Sequence, residues 1–205
     1  REYLEFNGFA SKFVPIKSVT QLGSPDRVVA DNMYDKVMNV YKWGRMNEPD
    51  VNIDYQNLLT FNAVMSVRNI HTLTAKALIA EGKNKQAVEV LDRMQQVMVP
   101  SQFPLNCSML PSLNEYSVLE AIEIYLIAGE KEKAVKLSDD FIAETLKAIK
   151  LFSKPYGAGY LSKNDIESNI AYIYYVSETF KKLGMADKAK ELETLLTNTI
   201  KSIQQ

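Results

Sequence analysis

Apolar residues recur every three to four positions through most of this chain, starting about fifty residues in. The first stripe, over 55–81, puts Leu59, Ala63, Val67, Ile70, Leu73 and Ala77 on one face. The next, over 84–98, uses Ala87, Leu91, Met94 and Met98, and a third, over 113–128, uses Val118, Ile122 and Tyr125. Then come 131–152 with Ala134, Phe141, Leu146 and Ile149, and 165–183 with Ile166, Ile170, Ile173 and Phe180. The last, over 186–203, carries Ala189, Leu192, Leu196, Ile200 and Ile203. Each stripe predicts an amphipathic helix that needs a partner to cover its apolar face.

The text before this region differs. "YLEFNGFASKFVPI" has two β-prone runs, 3–6 and 9–16, around Asn7-Gly8, a pair suited to the positive φ angles of a tight turn, and so predicts a β-hairpin. In "SPDRVVADNMYDKVMNVYKWG", Val29, Met33, Val37 and Val40 share a helical face that Gly44 closes. Ser24 or Asp31 is the expected cap, with Pro25 tolerated in the first turn. A polar, proline-containing segment then leads to the first stripe near Asp54. Trp43, the only tryptophan, is expected to pack at that crossing with its indole N–H on a carbonyl. The competing reading makes it a sugar-stacking platform at a groove mouth.

The organising signal is a repeat. "EGKNKQAVEVL", "AGEKEKAVKLS" and "LGMADKAKELE" each place glycine, four residues, then alanine: Gly82/Ala87, Gly129/Ala134 and Gly184/Ala189. The glycine closes one helix in the left-handed conformation, and the small alanine lets the next helix come close. Three such junctions predict tetratricopeptide-like helical hairpins. Their spacings, 47 and 55 residues, exceed the roughly 34 of a strict unit, so the array is irregular. The predicted fold class is mainly α, a tetratricopeptide-like stack of antiparallel helical hairpins with a small N-terminal β-hairpin. Residues 1–53 form the hairpin, helix and linker, packed on three hairpins over 54–205 as a single globular domain.

Composition narrows the function. Of 205 residues 46% are hydrophobic, enough for a core, and 24 basic against 25 acidic residues leave a net charge of −1. Nucleic acid is therefore not an expected partner, because phosphate-backbone affinity needs concentrated positive charge. The one cysteine, Cys107, allows no internal disulfide, and "PLNCSMLP" offers no cation to activate its thiol. No apolar run reaches the ~20 residues of a membrane span. Starting at Arg1 without methionine or signal peptide, the chain reads as an excised fragment.

Chemistry is sparse. His71 is the only histidine, so a metal site or a nucleophile–histidine pair would have to draw on carboxylates. "YGAGY", 156–160, lacks the lysine-threonine ending of a phosphate loop and reads as a turn. No catalytic residue, metal ligand or cofactor is assigned. Arg68, beside Asn69, sits within "FNAVMSVRNIHTL" and is expected to pair with Asp54 or Asp35, or else to face a groove. Tyr41, Trp43, Arg45, Arg68, Asn69 and His71 make up the candidate groove for a partner or ligand, with Asn47, Tyr156 and Tyr160 as further sugar contacts.

In order along the chain, "GFASKFVPI", "MYDKVMNVYKWG", "VNIDYQN" and "VRNIHTLTAKALIAEGKNKQAVEVLDRMQQVMVP" cover about residues 8–100. These blocks resemble the C-terminal soluble region of a family of bacterial multi-spanning membrane proteins related to protein O-mannosyltransferases. The resemblance implies that catalysis belongs to membrane-embedded segments upstream, so this fragment is not itself an enzyme. It implies a non-cytoplasmic (periplasmic) location, attached through those upstream spans. The expected function is a non-catalytic protein-interaction domain whose partner is acceptor polypeptide, another protein or the membrane-embedded portion of the same chain. The alternatives are a glycan- or lipid-linked-sugar-binding domain and a free-standing tetratricopeptide-like adaptor.

Overall fold

The computed structural model describes residues 3–17, 27–48, 50–51, 63–106, 116–153 and 163–203. They are mainly helical with a small N-terminal sheet, and they fall into two compact units, 1–103 and 104–205.

In the first unit, β1 (Leu4–Phe6) and β2 (Ser11–Phe13) form the predicted hairpin, with Leu4 opposite Phe13 and Phe6 opposite Ser11. Asn7 N–H closes the loop on the Ala10 carbonyl at 2.9 Å. Gly8 takes φ 76°, and a Cβ there would stand 2.1 Å from the Tyr41 hydroxyl oxygen, so both conformation and space demand glycine. Arg27–Val28 (β3) runs parallel to β1 and completes a sheet of order β2-β1-β3. A two-residue strand is too short to leave a periodic signal, and the sequence reading placed it inside a helix.

That helix is shorter than expected and changes pitch. Ala30–Asp35 (α1) passes into a π-helical turn, Lys36–Val40, and Tyr41 is already extended at φ −68°, ψ 133°. Trp43 therefore follows the helix instead of ending it. The wider turn shifts the helical phase: Met33 and Val37 are fully buried, whereas Val40 is 54% exposed. Val29 occupies the N-cap without a side-chain cap, so Asp31 does not serve there; Ser24 and Pro25 lie outside the described residues.

The unit's hairpin is α2 (Ala63–Ala80) with α3 (Asn84–Val97). The expected inward positions Val67, Ile70, Leu73 and Ala77 are buried, as are Ala87, Leu91, Met94 and Met98; Leu59 and the Ala63 side chain lie outside the described set. Burial of α2 also takes in Arg68, His71, Thr72 and Thr74, since α1 packs on this helix as well. Tyr34 Oη donates to Glu89, Lys83 Nζ pairs with Asp31 at 2.6 Å, and Gln102 Nε2 donates to the Glu48 carbonyl. These bonds fasten the N-terminal segment to the hairpin.

The second unit contains α4 (Tyr116–Ile127), α5 (Lys131–Phe152), α6 (Lys163–Lys182) and α7 (Ala186–Ile203). They pair as two consecutive hairpins, with α6 against α5 and α4 touching α6. Ile122, Tyr125, Phe141, Ile173, Phe180 and Leu192 fill the core. Leu146, Ile166, Ile170, Leu196, Ile200 and Ile203, expected inward, are only half-buried. The segment before α4 is held by a polar knot: Asn106 Nδ2 donates to Thr145 Oγ1 and Asn169 Oδ1, each at 2.8 Å, and Asn106 N–H donates to Glu144.

The three junctions are built alike. In each, the glycine N–H bonds back three residues and the next N–H bonds back five: Gly82 to Ile79 and Lys83 to Leu78, Gly129 to Leu126 and Glu130 to Tyr125, Gly184 to Lys181 and Met185 to Phe180. This is a Schellman closure. Leu78, Tyr125 and Phe180, four residues before each glycine, are buried, as are Ala87, Ala134 and Ala189, five after it. Ser177 Oγ reaches the Ala189 carbonyl at 3.1 Å, which shows how close the small residue lets two helices come.

Candidate functional site

Leaving the π-helical turn, the extended segment from Tyr41 carries its aromatic side chains against the hairpin loop and α2. Phe9, Tyr41, Trp43 and His71 form one cluster. The rings of Trp43 and Tyr41 stand edge-on at 5.6 Å, Phe9 is 5.5 Å from Tyr41 and 6.2 Å from Trp43, and His71 lies 4.9 Å from Trp43. Tyr41 Oη donates to the Asn7 carbonyl at 2.9 Å. Trp43 is only 8% exposed, so its indole anchors the crossing and offers no open face for sugar stacking. Contrary to expectation, its Nε1–H meets no carbonyl.

His71 is fully buried, and Nδ1 lies 2.7 Å from the Val67 carbonyl one turn earlier. That contact assigns the proton to Nδ1 and leaves Nε2 a bare acceptor without a donor. Burial pushes the imidazole pKa down to about 4, and the Arg93 charge adds to the effect against the favourable Val67 contact. His71 is therefore a neutral packing residue at physiological pH.

The other groove candidates separate. Arg68 is buried and donates to the Phe103 carbonyl at 2.9 Å, a tie between α2 and the segment after α3. Asp54 lies outside the described residues, while Asp35 is exposed and accepts from Asn39. Asn69 is exposed on α2. Arg45 is exposed and committed to Glu48 and Asp50, 2.7 Å from each by hydrogen bond. Cys107, Tyr156 and Tyr160 lie outside the described residues. Among the described residues no three His, Cys, Asp or Glu side chains converge as a metal site, and no helix is long and apolar enough to cross a membrane.

A cleft of about 330 Å³ opens beside the aromatic cluster, lined by Met38 and Asn39 of the π-helical turn, Tyr41 to Gly44, Asn47, and Arg93 and Val97 of α3. Arg93 escaped the sequence reading because position 93 belongs to no stripe and most of the residues that line the cleft with it are distant in the chain. The π-helical turn that forms one wall has no sequence signature of its own.

A second surface lies on the second unit. Burial raises the Tyr175 pKa, and the neighbouring Glu123, Glu120 and Tyr116 raise it further, which places all four together across α4 and α6. Tyr116 is 56% and Tyr175 40% exposed. Tyr116, Glu120 and Glu123 on one of these packed helices and Tyr175 on the other form an aromatic and acidic strip. No protein-family model, curated protein or solved structure matches the chain.

Proposed function

We propose that this chain is a non-catalytic protein-interaction domain at the C-terminus of a membrane-embedded, protein O-mannosyltransferase-like glycosyltransferase, on the periplasmic side, binding acceptor polypeptide or a partner domain. The parentage rests on the four sequence blocks that resemble that family. The binding role rests on one observation, the tyrosine and glutamate strip across α4 and α6. Paired hairpins of this kind present their first helices to extended polypeptide. Tyrosine gives amphipathic contact area at low entropic cost, and the two carboxylates select a segment carrying lysine or arginine. The test is titration of fluorescein-labelled extended peptides, one lysine-rich and one glutamate-rich, onto the protein by fluorescence anisotropy. Preferential binding of the basic peptide, lost by about tenfold or more in Tyr116→Ala/Tyr175→Ala without a change in melting, is expected. Equal binding of both peptides, or binding indifferent to the substitutions, would sink the reading.

A second reading, glycan or lipid-linked-sugar recognition by the same protein, has one observation in its favour, the polar cleft of the first unit with its amide and cationic lining. It requires contacts other than stacking on Trp43, whose ring is enclosed.

A further inference from the structure

Several arginines and lysines at helix ends and turns have counter-ions among the described residues. Arg45 holds Glu48 and Asp50, Lys83 holds Asp31 and Glu81, Lys181 holds Glu178 and Glu193, and Lys188 holds Asp139 and Glu191. Arg93 is different. It is half-buried on α3, its Nε–H is covered and meets no acceptor, and no ion pair involves it among the described residues. Glu89, one turn earlier on α3, is engaged by Tyr34, and Glu48, next to the cleft residue Asn47, by Arg45. Covering the Nε–H of Arg93 without an acceptor costs stability, because the bond it made to water is not replaced within the protein.

The guanidinium lines the 330 Å³ cleft together with Lys42, another cation with no carboxylate partner among the described residues, and the amides of Asn39 and Asn47. Val97, one turn along α3, and Met38 add apolar wall. A concave site with two unneutralised cations, amide groups and an apolar side is complementary to a small anion bearing further polar groups. Planar guanidinium binds carboxylate and phosphate through two parallel N–H donors, which sets the class of ligand.

We propose that this cleft is a binding site for the oxyanion group, carboxylate or phosphate, of a small polar ligand, with Arg93 as its principal contact and Lys42 as a supporting charge. The site is independent of the tyrosine and glutamate strip of the second unit. Loss of one leaves the other intact, so the two proposals fail separately.

The enclosed Trp43, the only tryptophan, lines the same cleft and reports on it. Inorganic phosphate, glucose 1-phosphate, glucuronate and neutral glucose are titrated at constant ionic strength, followed by tryptophan fluorescence and by isothermal calorimetry. Saturable binding of the anions but not of glucose is expected. Tighter binding of the sugar-borne anions than of inorganic phosphate assigns the source to a substituted sugar; the reverse assigns it to free phosphate. Arg93→Met, which keeps the stem and removes the charge, weakens binding by about tenfold or more, and Arg93→Lys by less because the fork is lost but the charge kept. Lys42→Met, at an exposed position, weakens it by about threefold and keeps the test available if position 93 tolerates no change. Absence of saturable anion binding by both methods, equal binding of glucose, or affinity unchanged in Arg93→Met and Lys42→Met overturns the proposal.

Discussion

At the scale of single residues, His71 shows how burial converts an ionisable group into a source of pH dependence. Its pKa of about 4 in the folded protein lies below the 6.5 of an unperturbed imidazole. The unfolded chain therefore takes up a proton as pH falls through 6.5, whereas the native state resists until about 4. Stability is full above 6.5 and withdrawn across that window, by about 3 kcal/mol. In His71→Phe a ring still fills the space beside Trp43 and no acceptor is left bare. Thermal melts between pH 4 and 7 should show the wild-type midpoint falling more steeply than that of the variant; parallel curves would show that His71 does not carry the dependence. The sequence placed His71 in the candidate groove, on the same helix as the inward-facing Val67, Ile70 and Leu73. What it could not reveal was the contact with Trp43, which joins residues 28 positions apart.

Elements were legible where the period was long and uninterrupted. α5 and α7 run over the residues that the stripes predicted, because 22 and 18 residues give a helical pattern several turns in which to repeat. Reading failed between 27 and 43, where a two-residue strand, a six-residue helix and a five-residue π-helical turn succeed one another. No one period holds there, and Val40 fitted the α-helical stripe only because the sequence does not announce the change of pitch. The junction glycines were legible for a physical reason, since few residues other than glycine adopt positive φ at low cost. They also separate strain from collision. Gly129 has φ 90° and open space around its missing Cβ, unlike Gly8. Gly129→Ala should therefore cost about 1 kcal/mol through backbone strain alone. Denaturant unfolding that shows no loss, or several times that amount, would mean the closure is not governed by φ.

Over the whole molecule, the sequence yielded the class of fold and the hairpins, while the candidate sites emerged only from coordinates. Of the groove proposed from the sequence, Tyr41, Trp43 and His71 come together, Arg68 is buried with a backbone partner, and Arg45 and Asn69 face solvent. A cleft depends on which side chains lack partners, and that is a property of the packed chain. Arg93 and Lys42 look in sequence like any other cations of an amphipathic surface. The strip of Tyr116, Glu120, Glu123 and Tyr175 was hidden likewise, because α4 and α6 are brought side by side only by the pairing of hairpins.

The identical closure of Gly82, Gly129 and Gly184 makes the connectors exchangeable parts. Each is fixed by its own backbone bonds and by the buried positions four before and five after the glycine, while the four residues between already differ as "KNKQ", "EKEK" and "MADK". A chimera carrying "MADK" in place of "EKEK" after Gly129 should fold with a melting point within a few degrees of the parent, on the scale of surface substitutions. A collapse of the fold would show that the connectors are bespoke. Such exchange leaves the ligand-facing sides of the helices untouched, so new binding specificity can be grafted onto one hairpin without redesigning its turn.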